Sequence, residues 1–295
     1  MSQHLIDLQH LGLEGAIAAY LILDPEPTII DPGPSTTLDR LHTALGELGL
    51  RVEDLRHLVL THIHLDHAGA SGHLAQANPD LSVHVHSHGL PHMADPDRLV
   101  SSTRRTFGDS HDRLWGDVLP VPEAQLVASD ADGWNGPATL SAIPTPGHIV
   151  HHLSYLSGAD GTMYAGDSIG IILGEGAPSH PPTPPPSLDL AAWNETLERL
   201  GSFDPDRIAV THFGIHGDFQ ARRVQLAESL EKLRARVARA METGDAEDAN
   251  RYHAEVVEDL GRFRGDGQIR EYFETFPAMS DWEGMRLHLE RLGKK

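Results

Sequence analysis

The sequence of 295 residues contains no cysteine. Disulfides, thiolate metal sites and cysteine nucleophiles are thereby excluded, and any bound metal must be held through nitrogen and oxygen. Positive charge is scarce. Against 43 Asp and Glu stand 23 Lys and Arg, a formal net charge of −20. Such a chain repels polyanions, which argues against nucleic acid and anionic membranes as partners, a local basic patch excepted. Long apolar runs are also missing. The longest, Ala16 to Leu23, is far too short to span a bilayer. The N-terminus carries Asp7 early and lacks a basic-then-apolar leader. These absences lead to the expectation of a soluble, cytoplasmic protein.

Histidine, in contrast, is abundant: there are 21. Three of them fall with an aspartate in the stretch Thr61-His62-Ile63-His64-Leu65-Asp66-His67, which follows the apolar run Leu58-Val59-Leu60. Histidine and aspartate are poor strand formers, and buried polar groups need partners, so packing does not explain the stretch. Metal ligation does. Neutral imidazole and carboxylate suit zinc, iron or manganese, and a strand end holds them rigidly. His62 and His64 project from one side of an extended chain. Asp66 and His67 lie where the chain turns away, in position to face a second ion.

Three later segments repeat the pattern of a metal-type residue at a strand end: Thr145-Pro146-Gly147-His148, Ala165-Gly166-Asp167-Ser168 and Val210-Thr211-His212. In this order and context, the four motifs together resemble the signature of the metallo-β-lactamase superfamily, in particular its glyoxalase II-like metallo-hydrolases. The resemblance covers roughly the first 215 residues. It implies an α/β fold of the αββα sandwich type. It also implies that His62, His64 and His148 hold one ion, that Asp66, His67 and His212 hold another, and that Asp167 bridges them. Asp31, in the turn Asp31-Pro32-Gly33-Pro34, and His152 are placed by the resemblance beside the metal site rather than on it. Taken alone, Asp31 reads almost as well as an ordinary turn residue.

The rest of the chain has a strand–helix–strand rhythm that favours a layered α/β fold. Ala16–Leu23 and Thr28–Ile30 read as a hairpin across Asp24-Pro25-Glu26-Pro27. Ser35 reads as the N-cap of a helix carrying Leu38, Leu41, Leu45 and Leu48, stopped by Gly49. Residues 71–77 read as a helix and residues 81–86 as a strand. His84, His86, His88 and His92 form a second histidine cluster with no carboxylate, expected at the surface or beside the site rather than as ligands. Residues 89 to about 120 read as an insertion, partly helical. Its Arg104-Arg105 pair is expected to be a solvated basic face, or else to meet an anionic substrate. The prolines between Gly174 and Ser187 predict a stiff, extended loop bordering the pocket or serving as a connection or dimer contact. Residues 190–200 predict a helix, and Arg207–Val210 a strand delivering His212.

Past Gly217 the composition becomes helical. Leu226, Leu230, Leu233 and Val237 form one seam and Tyr252, Val256, Leu260 and Phe263 another. Ser280-Asp281-Trp282-Glu283 reads as a capping box opening a last helix. The expected organisation is a hydrolase domain over residues 1–217, with its insertion near 89–120, and a helical extension over 218–295. That extension is expected to pack on the body, cover the pocket or join two subunits.

Two divalent cations, zinc first with manganese or iron as alternatives, would share and activate a hydroxide and polarise a carbonyl or phosphoryl oxygen. Asp66 would orient that hydroxide or take up a proton, serving as the catalytic carboxylate. The expected activity is dinuclear hydrolysis of a small ester, thioester, lactone or phosphodiester, by a protein that forms a possible homodimer. The alternative is a persulfide-dioxygenase-like oxidoreductase holding one iron through His62, His148 and Asp167.

Overall fold

The computed structural model describes residues 3–130, 134 and 136–294. Two sheets lie face to face. The first runs β1 (Gln3–Asp7), β2 (Ala18–Ile22), β3 (Thr28–Ile30), β4 (His57–Val59), β5 (Ser82–Val85) and β6 (Leu126–Ala128), in that spatial order. The second comprises β7 (Leu140–Pro144), β8 (Leu153–Ser157), β9 (Thr162–Gly166), β10 (Arg207–Val210) and β11 (Gly214–His216), ordered β11-β10-β9-β8-β7. Strands joined by tight turns pair antiparallel, as Tyr20 with Ile30 across the β2–β3 hairpin. Strands joined through helices pair parallel, as β3 with β4 and β4 with β5, because only a long crossover can return a strand in the same direction.

The central strands are buried on both faces, and alternation divides their side chains between two cores. Ala18, Tyr20, Ile30, Val59, Tyr155, Tyr164 and Ala209 meet between the sheets. Their neighbours Ala19, Leu21, Ile29, Leu58, Met163, Ile208 and Val210 face outward into the helical layers. Two of the inter-sheet tyrosines also satisfy their hydroxyls across the gap. Tyr20 donates to Val210 O at 2.6 Å and Tyr155 to Leu60 O at 2.8 Å. These bonds set the two sheets in register at the point where the strands end, because Leu60 and Val210 immediately precede the metal-type motifs.

The first sheet carries α1 (Leu38–Glu47), α2 (Leu65–Ala68) and α3 (Ser71–Ala77). The insertion folds as α4 (Leu90–Ala94), α5 (Asp97–Phe107) and α6 (His111–Trp115). The second sheet is covered by α7 (Leu190–Leu200) and α8 (Phe219–Thr243), followed by α9 (Asp248–Arg264), α10 (Asp266–Thr275) and α11 (Ala278–Gly293). No helix among the described residues is long and apolar enough to cross a membrane.

Several local expectations are corrected. The strand expected over Ala16–Leu23 spans Ala18–Ile22. Ser35 does not cap α1, which begins at Leu38 after a 3-10 turn; its hydroxyl donates instead to Trp115 O at 2.9 Å. Ser280-Asp281 is not a capping box either. The last helix begins at Ala278, and Asp281 is drawn away to accept Thr183 N–H at 2.7 Å and to meet His180 Nε2 at 3.0 Å. In both cases a long-range partner outcompetes the local backbone for the polar side chain. Phe263, expected in an apolar seam, is 42% exposed. The helix α10 and the strands β1, β6 and β11 are not expected from the sequence.

Candidate metal centre

The four motifs converge at the C-terminal ends of their strands. His62 and His64 sit in the extended segment after β4, and α2 begins at once to carry Asp66 and His67. His148 follows β7, Asp167 follows β9 and His212 follows β10. Two glycines let the backbones come this close. A Cβ on Gly147 (φ +148°) would lie 2.3 Å from Trp193 Cβ, and one on Gly166 (φ +50°) would lie 2.6 Å from Thr61 Oγ1. Larger residues would push His148 and Asp167 out of place.

Donor atoms gather in three overlapping groups: His62, His64 and His148; His62, His67 and Asp167; Asp66, His67 and His212. His64 Nδ1 lies 2.9 Å from His62 Nε2 and 3.0 Å from His148 Nε2. Asp66 Oδ2 lies 3.2 Å from His212 Nε2 and 3.8 Å from His67 Nε2. Asp167 spans the two ends, with Oδ1 3.6 Å from His67 Nε2 and Oδ2 3.4 Å from His148 Nε2. All seven residues singled out in the sequence are brought together.

The outer atoms of the rings fix which nitrogen faces inward. His148 Nδ1 donates to Pro182 O and His212 Nδ1 to Ala16 O, each at 2.8 Å. His67 Nδ1 donates to Asp31 Oδ2 at 2.8 Å. Asp31, held at φ +49°, also accepts Thr61 N–H, Thr61 Oγ1–H and Thr211 Oγ1–H. With its hydroxyl hydrogen committed to Asp31, Thr61 Oγ1 can only accept at 3.2 Å from His62 Nδ1. Each of these four imidazoles therefore turns its Nε2 inward, the arrangement that second contacts impose on metal-binding histidines. His152 does not face inward. Its Nε2 accepts Asp167 N–H at 3.1 Å and its Nδ1 donates to Thr145 Oγ1 at 2.7 Å, so it seats the backbone that carries Asp167.

Electrostatics agree with a missing positive charge. Burial, and then the neighbouring imidazoles, hold His62 far below its ordinary pKa and His64 at about 3, so both are neutral. Burial pushes the Asp66 and Asp167 carboxyls up, but His67 with His212 at the first, and His67 with His148 at the second, outweigh it and keep both ionised. Against its own burial, His67 is driven well above the usual value by Asp167, Asp31 and Asp66. Asp31, Asp66 and Asp167 all draw on His67 for compensating charge, so the site can accept cations. His67 Nε2 and Asp167 Oδ1 are buried and without a hydrogen-bond partner among the described residues. The residues fit divalent ions with nitrogen and oxygen preferences.

The cluster forms the floor of a cavity of about 520 Å³. His64 and Asp66 are partly exposed, whereas His62, His67, His148, Asp167 and His212 are buried; His148, Asp167 and His212 line the cavity together with the first two. The roof comes from distant segments: Phe107 and Trp115 of the insertion, Pro182 and Pro184 of the proline-rich loop, and Tyr272 and Phe276 near the end of the chain. That loop borders the pocket and is strapped to α11 through Asp281, through His288 Nδ1 to Leu188 O at 3.0 Å and through Arg291 to Pro186 O. Of the second histidine cluster, His84 is buried between His57 and Trp134, contrary to a surface position, while His92 lines the cavity. Arg105 also lines the cavity, whereas Arg104 pairs with Asp112 outside it. Tyr272 and Phe276 form an aromatic cluster visible in the sequence, but nothing local ties them to the site.

The fold and donor set define an αββα protein with a metal-binding edge. The chain belongs to the metallo-beta-lactamase superfamily, whose family profile it matches over residues 12–212. It is similar to the uncharacterized protein YobT of Bacillus subtilis, 27% identical over 206 residues covering 66% of this chain and 82% of that one. It is also similar to the probable metallo-hydrolase YqjP of the same organism, 25% identical over 229 residues and 67% of each chain. The chain spans about half the length of two fungal lactamase-like proteins it matches, 45% and 52%. In fold it resembles the archaeal superfamily protein ST1585 from Sulfolobus tokodaii (TM-score 0.61, 23% identity, 79% of this chain and 86% of that one). It likewise resembles TTHA1429 from Thermus thermophilus (TM-score 0.60, 21% identity, 94% and 89%).

Proposed function

We propose that the chain is a dinuclear metal-dependent hydrolase acting on an ester, thioester, lactone or phosphodiester bond of a small molecule. The observation that carries this reading is the set of seven donors. Their inward atoms meet only one another or no partner at all, and the outward atoms of four rings are pinned by Asp31, Thr61, Pro182 and Ala16.

In this reading His62, His64 and His148 hold one ion, Asp66, His67 and His212 the second, and Asp167 lies between them. The ions supply a lowered pKa for bound water and an electrophile for the reacting oxygen. Asp66 has the position of a proton acceptor: it is partly exposed towards the cavity, ionised, and held by His212 at 3.2 Å. Asp31 and His152 keep His67 and Asp167 in place. The apolar roof excludes water and receives the non-reacting part of the substrate. No protein nucleophile is required.

The test is metal content per chain by elemental analysis of protein purified without added metal. A panel of esters, thioesters, lactones and phosphodiesters would follow. Two equivalents of zinc, manganese or iron with turnover of one of these classes are expected. A single iron, with oxygen consumption on persulfides, would overturn the hydrolase reading in favour of a mononuclear oxidoreductase.

A further inference from the structure

Among the described residues, ten of the twenty arginines form an ion pair with an acid. Arg104 pairs with Asp112, Arg207 with Asp160, Arg236 with Asp248 and Glu255, and Arg286 with Glu283 and Glu290. Arg98 and Arg105 do not. Among the described residues neither guanidinium has a hydrogen-bond or ion-pair partner, and both line the cavity above the metal centre. They stand seven residues apart on α5, on one helical face with Ser102 between them, so their backbones are separated by about 10 Å. Arg104 lies on the same helix but is turned to Asp112, outside the cavity. The α5 face towards the cavity therefore presents two free cations at the edge of a chamber whose walls include Phe107, Trp115, Tyr272 and Phe276.

A purely apolar substrate would gain nothing from these cations. A substrate with an oxyanion remote from its reactive bond would gain charge-assisted, planar recognition, which arginine provides best. We propose that α5 is an anion-reading lip, and that the substrate is an amphiphile. Its ester-type bond lies at the floor, its acyl or aryl body fills the chamber, and a carboxylate or phosphate at the far end is held by Arg98 and Arg105. This rests on the hydrolase reading, because it takes the metal centre as the reacting end.

Binding can be read without turnover. Titration calorimetry on the metal-loaded protein would compare straight-chain monocarboxylates with α,ω-dicarboxylates of the same length, from adipate to sebacate. A parallel series with one terminal phosphonate would distinguish carboxylate from phosphate. At least one doubly anionic series should bind about tenfold or more tighter than its monoacid. In the R98Q/R105Q double variant that ratio should fall to near one, with metal content and monoacid affinity unchanged. Arg104→Gln should keep the wild-type ratio. Equal affinities along both series, or a ratio that survives in the double variant, would overturn the lip. If the protein instead turned over no ester-type bond yet showed the arginine-dependent preference, the hydrolase reading alone would fall.

Discussion

The floor and the roof of the pocket are built on opposite principles. At the floor, His62, His67, His148 and His212 are each held from behind by a carbonyl, a hydroxyl or a carboxylate, and the donors come from strand ends in one rigid sandwich. At the roof, Trp115 and Tyr272 are buried, but α5 has no fully buried side chain and Phe276 is only partly buried. Chemistry needs donor atoms fixed to fractions of an ångström, whereas an apolar chamber needs only shape and exclusion of water. The floor should therefore fail by losing metal, and the roof by losing affinity.

The largest effect should come from Asp167→Ala. In the proposed dinuclear scheme, removing the carboxylate between the two groups should release both ions and bring activity to background; two tightly held ions in that variant would break the distinction between floor and roof. Next is Asp31→Asn, which touches no ion in the proposed scheme but weakens the hold on His67. Metal affinity should drop by about 10–100-fold, as chelator competition would show. Phe276→Ala should raise KM for a bulky apolar ester by about tenfold, with kcat and metal content retained. Loss of metal in this roof variant would count against the comparison.

The smallest effect concerns a group outside both regions. Burial, and then the neighbouring His57, hold His84 at about 3. The unfolded chain binds that proton near pH 6.5 and the folded chain does not, so stability present above pH 6.5 is lost as pH falls from 6.5 towards 3. The slope is up to about 1.4 kcal/mol per pH unit. Chemical denaturation across this window should show a shallower slope for His84→Gln; an unchanged slope would place the proton uptake elsewhere.

The same contrast explains what could be read from the chain. Each floor motif is a few residues long and follows an apolar strand, so residue chemistry and strand end coincide within one short segment. The roof has no such signature. Phe107, Trp115 and Phe276 look like ordinary core residues until α5, α6 and α10 are packed together, and α10 opens on Gly265-Asp266-Gly267, which hides its helical character. Ser35 and Ser280-Asp281 mislead for the converse reason. Their local capping grammar is sound, but Trp115 O and Thr183 N–H supply stronger distant partners. Asp31 reads two ways because it does both things at once. It turns the chain at φ +49° and accepts hydrogen bonds from Thr61, His67 and Thr211.

That last feature reaches further than ligand orientation. Thr61 follows the first sheet and Thr211 the second, and a single carboxylate is bonded to both and to His67. A slip of one sheet over the other would thus be transmitted as a turn of the His67 ring. Ion affinity becomes a gauge of how the sandwich is aligned, and by thermodynamic reciprocity an ion in place resists the slip as strongly as the slip would expel the ion.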